Sequence, residues 1–344
     1  MTFAPKLTNM ANYLPRPALA SFLAFLTAIA ITVQSTHAGI IFGSFVNESF
    51  GTGPNRFSMK FFMGLTNPPP DTSGEPNPAG GVPYQYATSI YEVSETMIDS
   101  YNAQYGISRN RVITKDTRGP QKPATNVTWI EAAHFVNWLN IASGSPKAYK
   151  LNNSMTDRPV LWSPSDSLDY DPNNPLRSKR TLFALPSADE WYQAAFLGEA
   201  SFRYQDYPSE RDNVPPTAVA SGRTSFTAVY DQPLDQGPAD VHLAGGENGN
   251  KLIAMGGNVD EWEESSYDPT TTSTFAMRGL RGGAWSDPLE KLSSTNRRFA
   301  SMTNSGDDIG FRVVRLGPIP EPSMMSIAAC LGLSGYLMSN RRRK

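Results

Sequence analysis

Apolar positions along this chain fall into two periods separated by long stretches with none. Between Arg56 and Gly64, Phe57, Met59 and Phe61 alternate with other residues up to Met63, the period of two that predicts a strand. Tyr86 to Val93 predicts a second strand. After Ser94, placed to cap a helix, the period changes, and Met97, Ile98, Tyr101 and Tyr105 share one helical face. Thr128 and Glu131 form an S/T-x-x-E capping box, in which hydroxyl and carboxylate satisfy each other's free backbone amides. Trp129, Ala132, Ala133, Val136 and Asn140 follow at helical spacing. His134 lies off that stripe, so an exposed or half-buried side chain is expected. Ser187 and Glu190 repeat the box after Pro186, with Trp191, Ala194 and Ala195 as the buried stripe. Residues 67–83, 151–180 and 200–250 are rich in Pro, Gly, Asp and Ser and lack a period, so loops are expected, with 151–180 a surface insertion. The acidic run Asp260, Glu261, Glu263 and Glu264 around Trp262 reads either as a solvated loop or as a cluster for cations or sugar hydroxyls.

The two ends differ in kind from this middle. Lys6 and Arg16 precede the uncharged stretch Ala18 to Val33, and small residues Thr36 and Ala38 flank His37. Residues 1–38 therefore read as a secretory signal peptide cut by signal peptidase after Ala38, with an uncleaved anchor as the alternative. Residues 39–55 form a polar, Gly-rich lead-in, and 56–316 read as one domain. In 317–344, Pro320, Glu321 and Pro322 precede an uncharged stretch, Met324 to Met338, and Arg341, Arg342, Arg343 and Lys344 follow as a basic stop. Composition narrows the chemistry further. Apolar residues at 39% suffice for a core, while 27 Gly and 28 Pro favour a loop-rich fold. A net charge of −2 argues against nucleic acid as a partner, because phosphate binding needs a basic surface. The single cysteine, Cys330, lies in the apolar tail, which leaves the domain without a disulfide, a thiol nucleophile or a thiolate metal site.

Five stretches carry a family resemblance, in order. They are Tyr91-Glu92-Val93-Ser94; Asn126-Val127-Thr128-Trp129 with Ala132 and Trp138; and Leu185-Pro186-Ser187-Ala188-Asp189-Glu190-Trp191. Met255-Gly256-Gly257-Asn258-Val259-Asp260-Glu261-Trp262 follows, then Arg281-Gly282-Gly283-Ala284-Trp285 with Arg297-Arg298 and Ile309-Gly310-Phe311-Arg312. Together they resemble the formylglycine-generating-enzyme, or sulfatase-modifying factor, domain. The resemblance implies an α+β, C-type-lectin-like fold with little regular secondary structure. The tail is similar to the PEP-CTERM signal, for which an exosortase-type membrane protease is the expected partner; a plain membrane anchor is the alternative. With both end signals, the chain resembles a PEP-CTERM subgroup from bacteria that make extracellular polysaccharide. Export is therefore expected, first to the inner membrane through the tail and then to the cell surface or outside.

The resemblance also sets a chemical test. Family oxidases hold copper(I) with two cysteines, and the matching positions here are Asp287 and Leu292. A family calcium site would fall on the backbone carbonyls of Gly257 and Val259 and the carboxylate of Glu261, with Ala254 where a side-chain ligand is usual. An iron site would need a histidine cluster, and the domain holds only His134 and His242, with no ligand spacing. Arg281, Arg297, Arg298 and Arg312 are expected as buried scaffold and the tryptophans as core, one or two of the latter alternatively forming a sugar platform. The expected function is a non-catalytic surface module for polysaccharide, peptide or envelope proteins. The alternatives are an oxygen-dependent oxidoreductase acting on a protein thiol, disfavoured by Asp287 and Leu292, and a structural matrix component.

Overall fold

Short strands build two principal sheets, the first joining both ends of the domain and the second drawn from residues 260–310. The computed structural model describes residues 57–317 except 66, 70–79, 153, 199–200, 210, 212–213 and 269. The signal-peptide, lead-in and tail assignments, with Ala38, Pro320, Glu321, Pro322, Arg341, Arg342 and Arg343, lie outside the described residues. All described residues fall in the unit Gly43–Lys344.

In the first sheet, β1 (Met59–Phe62), β2 (Tyr86–Ser89), β10 (Val314–Leu316) and β3 (Phe183–Ala184) lie in that order, all antiparallel. Val314 pairs with Thr88, so the last strand closes on the second. The second sheet has the order β8 (Arg298–Ala300), β7 (Arg278–Arg281), β6 (Asp260–Ser266), β9 (Ile309–Gly310). A bulge between Trp262 and Ser266 shifts the β6–β7 register. A small parallel pair, β4 (Thr217–Ala218) and β5 (Thr227–Ala228), lies in the long stretch expected to be loops.

Among the described residues there are three α-helices and a few short 3-10 and π turns, a mixed α/β fold with few helices. Helix α1 (Glu95–Tyr101) follows Ser94, which stands at the N-cap without a side-chain cap bond, and runs into a π-helical turn at Asn102–Gly106. Helices α2 (Trp129–Ala142) and α3 (Ala188–Phe196) both open on the expected capping boxes. Ring-to-ring contacts knit the larger core: Phe135 meets Trp138 at 5.5 Å and Phe311 at 5.6 Å between centroids. A second cluster gathers on α3 around Trp191, Tyr192, Phe196 and Tyr204. Trp129, Trp138, Trp191, Trp262 and Trp285 are all buried core residues, which leaves none of them as an exposed sugar platform. No helix among the described residues is long and apolar enough to cross a membrane.

Two expectations are corrected. The acidic run is no solvated loop: it is strand β6, and Asp260, Glu261, Glu263 and Glu264 are all buried. His134 is buried as well, because α2 is covered on nearly every face rather than along one stripe. Burial, opposed only by a weak bond to the Ser154 carbonyl, lowers its pKa from 6.5 to about 4. A depressed histidine contributes stability that is complete above pH 6.5 and lost as pH falls through 4. The expected loss is roughly 3 kcal/mol. His134→Gln should flatten the urea-unfolding stability profile over that window relative to the wild type. Identical slopes in the two proteins would show that His134 is not the titrating group. Asp260, raised to about 7, acts in the opposite sense, so the difference between the two proteins is the quantity to read.

Candidate functional site

Successive residues of a strand point to opposite faces, so β6 sends acidic side chains both ways. Arginines from other segments meet them on each side. Arg312 donates from Nε and Nη2 to the two oxygens of Glu261 at 2.5 and 2.6 Å, and Trp191 Nε1 donates to the same carboxylate at 2.7 Å. The rest of the Arg312 head donates to the carbonyls of Ser89, Ile253 and Ala254 at 3.0–3.2 Å. Glu263 accepts from both Arg281 and Arg297. Glu264 accepts from Tyr149 and Asn174, each at 2.7 Å.

Gly257 and Asn258, just before the strand, both adopt positive φ, +83° and +67°. Asn258 then bridges three segments: its Oδ1 accepts from Ala239 N at 2.7 Å and its Nδ2 donates to Glu92 at 2.9 Å. Burial, then the charge of Glu261, holds the Glu92 carboxyl well above the usual carboxylate range.

This geometry does not suit the calcium expected at Gly257, Val259 and Glu261. Calcium takes six to eight oxygens. Here the one carboxylate of the set is committed at both oxygens to a guanidinium, and a divalent cation beside it would face a like charge. Arg312 itself sits among the carboxylate and carbonyl oxygens.

The two cysteine-matching positions have other tasks. Asp287 caps the backbone, its Oδ2 accepting from Ala284 N at 2.9 Å, and lies 3.4 Å from Arg298 Nη1. Leu292 is buried against Ala228 and Tyr230. Arg298 also pairs with Asp260 and Asp308, so three carboxylates share one partly exposed cation. Burial pushes Asp260 up to about 7 against the pull of Arg298 and the amide of Gly283. A hard carboxylate and an alkyl side chain do not fit copper(I), which prefers thiolates. Among the described residues no group of three or more His, Cys, Asp or Glu side chains is placed to hold a metal, and His134 and His242 form no such set.

A cavity of about 700 Å³ opens elsewhere, walled by β6–β7, the start of α3 and the insertion at 171–177. A second cavity of about 410 Å³ adjoins it, sharing Tyr84, Asp171, Asn174 and Arg177. Arg278 and Asn174 were not legible as site residues: neither belongs to a motif, and the walls come from four distant segments.

Comparison with known proteins agrees with the motif order. Over 248 residues the chain is 23% identical to the chaperone protein LppX of Paenibacillus barcinonensis, covering 69% of this chain and 87% of that protein. Its fold is similar to that of Treponema denticola variable protein 1, with a TM-score of 0.56, 19% identity, and coverage of 79% of this chain and 99% of the other. PvdO from Pseudomonas aeruginosa superposes with a TM-score of 0.49 at 19% identity, over 78% of this chain and 98% of that one. Residues 64–316, most of the chain and nearly the whole of the described fold, match the sulfatase-modifying factor enzyme 1-like domain, and the chain belongs to that family.

Proposed function

We propose that this chain is a non-catalytic binding module of the sulfatase-modifying factor family, exported and held at the cell envelope or in the surrounding matrix. One observation carries the reading: Asp287 and Leu292 occupy the positions of the family's copper cysteines and are tied up in a backbone cap with an ion pair and in the core. What remains is an arginine-braced body with long irregular connections, a form suited to presenting binding loops, as C-type-lectin-like scaffolds do. A relative named as a chaperone protein is compatible with binding rather than oxidation. The two end segments support export, tail recognition by an exosortase-type protease, and envelope proteins or polysaccharide as partners.

The test is direct. The full-length chain is incubated with copper(I) and a cysteine-containing peptide, and retained copper, oxygen uptake and peptide aldehyde are measured. All three should stay at the level of a protein-free control. Stoichiometric copper with oxygen uptake would overturn the reading. In parallel, immobilised full-length protein should retain selected glycans or envelope proteins saturably.

A further inference from the structure

Arg278 is 3% exposed, and among the described residues the hydrogen bonds of its head are from Nη1, to the Glu264 carbonyl at 3.0 Å and Ser266 Oγ at 3.1 Å. Nε and Nη2, the edge of a guanidinium that forks onto two oxygens, have no hydrogen-bond partner among the described residues. The other arginines of the same cavity are committed to carboxylates, Arg177 to Glu190 and both Arg281 and Arg297 to Glu263. Among the described residues, Arg278 is the one of these four with no carboxylate within ion-pair distance. Its guanidinium lies over the Trp129 ring at 5.3 Å, and burial lowers its pKa to about 10 against the pull of the Glu264 charge.

The lining of this cavity is mixed: Asn173, Asn174, Ser265, Thr271 and Thr272 supply amides and hydroxyls, Pro83, Pro175 and Leu176 supply apolar surface, and half-exposed Tyr84 supplies a ring. Such a mixed wall can pair with the hydroxyls of a sugar and cover its apolar face. The adjoining cavity shares Tyr84 and Arg177 and adds Lys179.

We infer that this groove binds an acidic saccharide, whose carboxylate or sulfate group takes the free Nε–Nη2 fork of Arg278 while its hydroxyls meet the Asn, Ser and Thr side chains of the walls. The two nitrogens are buried in the unliganded protein, so this pairing requires the Arg278 head to turn toward the cavity. Asp189 and Glu264 in the same walls accept from hydroxyls and repel a second anion placed beside them, which limits the site to one acidic group. The inference rests on the binding-module reading and names its ligand class.

Isothermal titration of the full-length chain with four probes tests it: a neutral oligosaccharide, its uronic-acid counterpart, its sulfated counterpart, and an acidic peptide. At least one acidic saccharide should bind tenfold or more tightly than the neutral one, and which one does so separates the carboxylate source from the sulfate source. Arg278→Lys, which keeps charge but loses the fork, should weaken that binding at least tenfold. Thr272→Trp, a change at an exposed lining residue, should block the groove and abolish binding without altering the fold, as read by circular dichroism. Equal affinity for neutral and acidic saccharides, preference for the peptide, or binding unaffected by Thr272→Trp would each overturn the inference. If the saccharides fail while envelope proteins are still captured, this site falls and the module reading stands. Copper-dependent oxygen uptake would remove both.

Discussion

Glu261→Ala is expected to destabilise the protein by roughly 3–5 kcal/mol, the usual consequence of stranding one partner of a buried ion pair. The cause is the position of Arg312, fully buried and bonded through Nε and Nη2 to the two carboxylate oxygens. Its other bonds go to backbone carbonyls of Ser89, Ile253 and Ala254, which carry no full charge to compensate it. Trp191 loses the acceptor for its indole N–H in the same variant. Removing both charges together, Glu261→Leu with Arg312→Met, should cost less than the single change, because no unpaired ion remains. Urea-unfolding midpoints of the three proteins decide this. A single variant no worse than the double would show that the pair is not the unit. The same experiment separates arginine from calcium. Chelation by EDTA should leave the wild-type melting temperature unchanged, and a fall of several degrees would place a metal on Glu261 after all.

Gly257→Ala is expected to cost about 2–5 kcal/mol, the sum of left-handed backbone strain and a forced displacement in a packed interior. At φ +83° a side chain is strained before any contact is counted. A Cβ built there would lie 2.2 Å from the Val229 carbonyl oxygen and 2.9 Å from its carbon, and this neighbour is backbone and has no rotamer to escape into. Relief would have to move the loop that Asn258 N bonds at Val229 O, and with it the bond from Trp285 N to Asn258 O. Differential scanning calorimetry should show a lower melting temperature for Gly257→Ala than for Gly222→Ala. Gly222 also has positive φ, +129°, but a Cβ there meets nothing within 4 Å. Equal losses at the two sites would mean that strain alone, without the clash, governs Gly257.

The parts of this fold that were legible in advance are those whose cause is local. Thr128 and Glu131, and Ser187 and Glu190, lie three residues apart and complete their capping boxes within one turn, so no distant partner is needed to see the helix start. Alternation and helical spacing likewise placed β1, β2 and the buried stripe of α2. The order of five short motifs was enough to point to the family. The same reading failed at Asp260–Ser266. A run with four carboxylates looks solvated, and it became the central strand because the arginines that neutralise Glu261 and Glu263 arrive from 51 and 34 positions further along.

His134 failed for a related reason: its place off the apolar stripe was correct, but how much of α2 would be covered depends on chain segments far from it. The cavity around Arg278 is the extreme case, since an arginine without a hydrogen-bond partner for Nε and Nη2 is recognisable only after every neighbour has been placed. Local hydrogen bonding, hydrophobic period and the identities at Asp287 and Leu292 were therefore settled along the chain itself: where helices begin, and that no thiolate pair stands ready for copper. Burial and charge pairing were settled only by folding. Both are properties of a residue's surroundings, and packing brings together segments that the linear order keeps apart.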